Sequence, residues 1–269
     1  MNELKPGEIL FLGTGTSHGV PKIGCECDVC QSSNPKNKRT RSSIIFRAKY
    51  GSILIDTTPD MRTQFIRERL AYADAILLTH SHFDHLFGLD DTRRFFDLNG
   101  QKRVPIYCSF GVSRDVHTCF AYIFDPAMRG YGGGIPRIDI KILRRYRLVE
   151  ILGMPILPVV LRHGKKPVFG YRFGNVAYCT DAKSIPSKSM DCLRDLDTLI
   201  LGCLRYRPHP THFSLDEALE VVKELKPKRT FFTHLDHEFE HERLEAELPN
   251  NIRPAYDGLR LFQSPCEMD

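Results

Sequence analysis

Residues 80–85 read His-Ser-His-Phe-Asp-His and follow directly on the apolar run Ala75–Thr79. A short apolar run bounded by polar residues reads as a buried strand, and a strand end delivers the side chains that follow it at one edge of a sheet. A tight loop there can aim His80 and His82 at one cation while Asp84 and His85 face a second. Imidazole and carboxylate are ligands that divalent first-row metals accept. The plain alternative is a polar loop whose histidines are merely solvated. Four potential ligands within six residues of an apolar strand argue against it.

The rest of the chain supplies the sheets such a loop needs. Strands are expected at Ile9–Leu12, Ser43–Arg47, Ser52–Asp56, Val104–Cys108, Ile138–Leu143, Ile156–Leu161, Val168–Phe173, Val176–Thr180, Leu199–Cys203 and Thr230–Thr233. Helices are expected over Asp60–Leu70 and Leu86–Leu98. Another should start at the S-x-x-E capping box of Ser214 and Glu217 and stop before Pro227. Strands interleave with single helices, so the class is mixed α/β. No linker interrupts the pattern, Gly130–Gly134 reads as a surface loop, and residues 1–269 are expected to form one domain.

The motif H-S-H-F-D-H with Gly88 after it resembles the H-x-H-x-D-H signature of the metallo-β-lactamase superfamily. Ile53–Asp56 resembles the strand and aspartate that precede the signature there. His163, Asp181 and His234 then appear in the family's order, so the resemblance runs from about Leu10 to His237. It implies a four-layer αβ/βα sandwich with a two-metal site at one edge. Site one would take His80, His82 and His163, and site two Asp84, His85 and His234. Asp181 would bridge the two, since a carboxylate has two oxygens. Taken singly, His163 reads as an exposed loop histidine and Asp181 as a turn former or helix cap. Asp56 reads either as a strand-end turn residue or as the acceptor of a ligand histidine's free ring N–H.

Nine cysteines are an odd count, and three of them crowd into Cys25-Glu26-Cys27-Asp28-Val29-Cys30. Such a cluster is read first as a metal site, because a disulfide framework belongs to secreted chains. Tetrahedral zinc needs a fourth ligand, either His237 or another cysteine. The prefix Gly13–Pro21, these cysteines and the closing T-H-L-x-H are similar to the phosphoribosyl 1,2-cyclic phosphate phosphodiesterase branch. That branch carries a structural zinc on three cysteines and one histidine, which here would be Cys25, Cys27, Cys30 and His237. The remaining cysteines, Cys108, Cys119, Cys179, Cys192, Cys203 and Cys266, are expected to be buried small hydrophobes.

Two further features bear on ligands. Gly13-Thr14-Gly15 fails as a dinucleotide fingerprint, since His18 stands where a glycine belongs and Pro21 where a helix should run. The glycines are expected to make a tight turn near the active-site edge, where His18 could reach substrate. His212 lies two residues before the cap Ser214, beside the positive end of a helix, where a histidine can meet a phosphate. His117, His209 and His241 lack such context and are expected to be structural.

These readings predict a metal-dependent phosphodiesterase acting on a small, cyclic phosphate ester. Two cations about 3.5–4 Å apart lower the pKa of a shared water and offset charge at the phosphoryl oxygens. Zn²⁺, Mn²⁺ and Fe²⁺ all accept the active-site ligands, and the cysteine site asks for Zn²⁺. Asp84, on the second cation, and His212, as proton donor to the leaving alkoxide, are the candidate catalytic residues. One alternative is a ribonuclease of the transfer-RNA 3′-processing type, for which Arg129–Gly134 is a feeble RNA-holding arm and a net charge of +5 is modest. Another is a non-catalytic metal-binding relative such as a pterin-cofactor biosynthesis protein. The polar first residues and the lack of a long apolar run predict a cytoplasmic protein without membrane contact. The lack of a signal also disfavours a lactamase. A homodimer is compatible with the resemblance.

Overall fold

The computed structural model describes residues 3–128 and 134–263. Cys266 and most of the Arg129–Gly134 segment lie outside the described residues. The strands are β1 (Glu8–Gly13), β2 (Ser43–Ala48), β3 (Gly51–Ile55), β4 (Ala75–Leu77), β5 (Val104–Cys108), β6 (Ile138–Ile142), β7 (Val149–Ile151), β8 (Met154–His163), β9 (Lys166–Phe173), β10 (Val176–Cys179), β11 (Thr198–Gly202), β12 (Arg229–Thr233), β13 (Ile252–Pro254) and β14 (Arg260–Phe262). The helices are α1 (Asp28–Gln31), α2 (Met61–Glu68), α3 (Phe83–Leu86), α4 (Arg93–Leu98), α5 (Phe110–Cys119), α6 (Ala121–Phe124), α7 (Ser187–Cys192), α8 (Leu215–Leu225) and α9 (His241–Glu247). One sheet runs β14-β1-β2-β3-β4-β5-β6 and the other β13-β12-β11-β10-β9-β8-β7.

Burial on both strand faces explains the layering. In β1, Ile9 and Phe11 join the core between the sheets, while Leu10 and Leu12 pack against Met61, Phe65 and Val116 of the helices outside. Likewise Phe231 of β12 faces the other sheet, and Phe232 packs with Ala218, Val222 and Leu244 of α8 and α9. Sheets with two covered faces read as continuous apolar runs, as these strands do. Phe46 and Phe173 stack across the interface at 4.2 Å between ring centroids. The result is helix, sheet, sheet, helix: the αβ/βα sandwich. Among the described residues no helix is long and apolar enough to cross a membrane.

Four local expectations need correction. The span Leu86–Leu98 is not one helix: α3 ends at Leu86, a 3₁₀ turn covers Leu89–Thr92, and α4 follows. The break comes at Gly88, whose N–H donates to the Thr57 carbonyl and where a Cβ would lie 2.0 Å from the Thr58 oxygen. His163 does not begin a loop; it is the last residue of β8, paired with Lys166 across the hairpin. Gly13-Thr14-Gly15 is no tight turn but extended chain, with Gly15 bridging both Arg41 and Leu235. Its glycines are needed because the backbone of residues 39–41 passes where a Cβ would sit. Finally, α5 was not anticipated; its N-cap Ser109 accepts from the Val112 N–H.

Candidate active site and metal centres

Five strand ends converge at one edge of the sandwich. Asp56 follows β3, Thr79 and His80 follow β4, His163 ends β8, Asp181 follows β10 and His234 follows β12. Asp56, Asp181 and His234 have φ of +66°, +53° and +60°, the left-handed region that side chains seldom adopt. Such a residue turns the chain sharply off the strand and holds its side chain at the sheet edge. The histidine run itself is pinned from two sides. Phe169 of β9 donates its N–H to the Thr79 carbonyl, and the Ser81 hydroxyl donates to Asp115 of α5.

The side chains gather in two groups. One ligand atom from each of His80, His82 and His163 lies within 4.8 Å of the others, and so do ligand atoms of Asp84, His85, Asp181 and His234. Asp181 joins them: it lies 3.0 Å from His85 Nε2 and 3.4 Å from His234 Nε2, and it also falls within 4.8 Å of His163 and His212. His80 Nε2 and His85 Nε2 are buried with no hydrogen-bond partner among the described residues. Two imidazole nitrogens left bare in the interior, that of His85 beside the Asp84 and Asp181 carboxylates, fit a cation rather than a proton network.

The opposite ring nitrogens fix the tautomers. His85 Nδ1 lies 2.7 Å from Asp56, His163 Nδ1 2.9 Å from the Thr211 carbonyl, and His80 Nδ1 3.0 Å from the Thr79 hydroxyl. That hydroxyl donates to Asp56 at 2.8 Å, so it can only accept from His80. Each Nδ1 therefore carries the proton and leaves Nε2 a lone pair to give. Thr79 thus links His80 to the aspartate that holds His85. Sequence reasoning missed it, although its place directly before His80 was a signal.

Charge follows the same geometry. Burial pushes the His80 and His82 imidazoles below their ordinary value. Burial alone would raise Asp84, but His85 and His234 outweigh it and hold the carboxyl well below the usual carboxylate range. Asp181 is likewise held down against its burial by His234 and His85. Burial opposes charge on His85 and His234, yet Asp181 and Asp84 keep both rings above their ordinary value.

His212 stacks on His234 at 4.9 Å between centroids, with Nδ1 3.7 Å from Asp181. Burial pushes its imidazole down to about 3, with Asp181 opposing, so the ring is neutral at pH 7. The capping box after it is complete, with Ser214 and Glu217 bonded reciprocally. His209 lies 5.1 Å from His212, nearer the site than expected. His18 is exposed, His117 stacks on Phe124, and His241 is buried at the start of α9.

A second cluster lies apart from these histidines. Cys25, Cys27 and Cys30 place their sulfurs 3.2, 3.4 and 3.7 Å from His237 Nδ1, and the four ligand atoms fall within 4.8 Å of one another. The Cys30 backbone N–H draws the Cys27 thiol down to about 6, while burial pushes the Cys30 thiol up to about 11. Lys22 Nζ stands 3.3 Å from His237 Nε2 and 3.4 Å from Asp236. Four N/S donors at one point suit tetrahedral zinc. Of the other cysteines, Cys108, Cys179 and Cys203 are buried, Cys192 is half-buried and Cys119 is exposed. The exposed Cys119 departs from the expectation, because it ends α5 on the solvent side.

Comparison with known proteins agrees with this architecture. The Beta-lactamase superfamily domain matches residues 52–235. The octanoyltransferase of Porphyromonas gingivalis (strain ATCC BAA-308 / W83) is 34% identical over 254 residues, covering 93% of this chain and 50% of that protein. The chain spans about half the length of the first curated relatives it matches. A crystal structure described as a new diphosphatase from the PhnP family superposes with TM-score 0.87 at 42% identity, covering 94% of this chain and 96% of the other. Zn²⁺-bound PqqB from Methylobacterium extorquens shares the fold at TM-score 0.73 and 17% identity, over 95% of this chain and all of that one.

Proposed function

The chain belongs to the β-lactamase superfamily, among the metal-dependent hydrolases of the PhnP family, and from that premise we propose that it is a phosphodiesterase for small, cyclic phosphate esters. The observation that carries the reading is Asp181, set between two groups of ligand atoms and within reach of both. His80, His82 and His163 hold one cation, Asp84, His85 and His234 the other, and Asp181 both. Cys25, Cys27, Cys30 and His237 hold a structural zinc. Zn²⁺ or Mn²⁺ suits the active-site donors, and Fe²⁺ is accepted by the same set. When bound, such a pair supplies Lewis acidity at the phosphoryl oxygens and a water ionised near neutral pH.

The chain's own residues do the rest. Asp56, Thr79 and the Thr211 carbonyl keep the ligand rings in one tautomer. His212, next to Asp181 but outside both ligand sets, faces the place where a phosphoryl group must sit. As a neutral ring it offers an N–H to a phosphoryl or leaving oxygen, and it acts as a general acid once the anionic ester has drawn a proton onto it. The octanoyltransferase relative is matched over half its length, so its named activity is not carried over.

The test is hydrolysis of bis-p-nitrophenyl phosphate by purified, metal-loaded protein, followed by a panel of nucleoside cyclic phosphates and transfer-RNA precursors. Turnover of the diester and preference for the cyclic phosphates are expected. Absence of diester turnover at full metal occupancy overturns the reading.

A further inference from the structure

A cavity of about 520 Å³ opens directly beside His80 and His82, and nothing in the hydrolytic reading so far uses it. Its walls are apolar, formed by Leu143, Val160, Val168 and Phe169, with Phe110 at the first turn of α5. Phe110 is 65% exposed, and among the described residues no aromatic ring stacks on it. Two cations also line the cavity, Arg145 and Lys166, and neither has an ion pair or side-chain hydrogen bond among the described residues. Lys166 pairs with His163 across the β8–β9 hairpin, so one of the two charges starts from a residue beside a proposed metal ligand. The one carboxylate on the lining, Asp115, is engaged by the Ser81 hydroxyl.

Those features ask for a particular occupant. An apolar slot with an unpartnered aromatic ring takes a flat ring system, by stacking and by removal of apolar surface from water. Unpaired Lys and Arg close to a phosphoryl site take a second anionic group, the arginine in fork geometry. We propose that the cavity binds the leaving portion of the substrate, and that this portion is a nucleoside phosphate whose phosphate meets Lys166 and Arg145 and whose base lies against Phe110. The inference rests on the metal-dependent phosphodiesterase reading of the site but departs from its cyclic substrate, since a leaving portion that departs requires an open diester, here one carrying a second phosphoryl group next to the one attacked. For a P¹,P²-dinucleoside diphosphate, one water is added across the P–O–P bridge. The bond from the attacked phosphorus to the bridging oxygen breaks, and two nucleoside monophosphates leave.

Two esters separate this proposal from its premise. P¹,P²-di(adenosine) diphosphate offers both ring and second phosphate, whereas bis-p-nitrophenyl phosphate offers rings alone. In the Arg145→Ala/Lys166→Ala double variant kcat/KM for the dinucleotide should fall about 10- to 100-fold, chiefly through KM, as expected for lost charged hydrogen bonds. Turnover of bis-p-nitrophenyl phosphate should hold within about twofold. Phe110→Ala should raise KM for the dinucleotide about tenfold, by the strength of base stacking. If wild type cleaves neither ester, the phosphodiesterase reading itself fails. If wild type cleaves only bis-p-nitrophenyl phosphate, or the variants cleave the dinucleotide like wild type, or they lose both esters equally, the cavity assignment is overturned while the phosphodiesterase reading stands.

Discussion

His85 Nδ1 stands 2.7 Å from Asp56 Oδ2, with both side chains fully buried. Asp56 also accepts the Thr79 N–H and hydroxyl, each at 2.8 Å, so one carboxylate ties the end of β3 to the histidine run. Burial works to raise the Asp56 carboxyl, with His85 and Thr79 opposing, and removing it strands three donors at once. Asp56→Asn keeps the size and tolerates the positive φ but cannot accept from all three. It should weaken metal binding about 10- to 100-fold. Metal titration of the apoprotein checks this, and an unchanged affinity would reduce Asp56 to a strand-end turn residue.

Metal analysis should find three ions per chain. In Cys27→Ser about one zinc should be lost while the active-site pair survives in the folded fraction. Thermal unfolding should shift downward, because zinc binding contributes folding free energy. A wild-type protein with two ions only would remove the structural zinc.

Asp181→Ala should cost more activity than loss of any histidine that serves one cation, because the carboxylate reaches both ligand groups. Metal content should drop at both sites. Full occupancy of both in this variant would take the bridging role from Asp181.

His212→Ala should leave metal content intact, since the ring lies outside both ligand sets. If it protonates the leaving oxygen, kcat should fall by about 10²–10⁴. The loss should shrink for p-nitrophenolate, which departs without a proton. An even loss across leaving groups assigns His212 to holding the phosphoryl group instead. Unchanged kinetics with every ester returns it to a bystander.

Acid should empty the two cation sites in order. A proton competes with a metal for the same Nε2 lone pair. His85 and His234 have raised values, held up by Asp181 and Asp84 against burial, so they take protons first as pH falls. His80 and His82 are pushed down by burial and stay neutral to lower pH. As pH falls, the cation on Asp84, His85 and His234 should leave before the one on His80, His82 and His163. Equilibrium dialysis against a pH series reads the stoichiometry. Simultaneous release of both would contradict the order.

Much of this candidate site was legible in the chain because its candidate ligands are local or sit at recognisable strand ends. Four candidate ligands fall within six residues, and Cys25, Cys27 and Cys30 within another six. Ligand type and tight spacing are properties of the chain, and apolar runs with two buried faces set the strands apart. Only the tertiary structure decided what depends on distant backbone meeting backbone. The Gly88 break is invisible locally, since it comes from the carbonyl of Thr58 thirty residues earlier. The positive φ at Asp56, Asp181 and His234 is set by the strands each leaves and by the site each turns into, not by residue type. The cavity joins Phe110, Arg145 and Lys166 from three separate segments. No spacing rule connects such residues, because only sheet order and register bring their side chains to one wall.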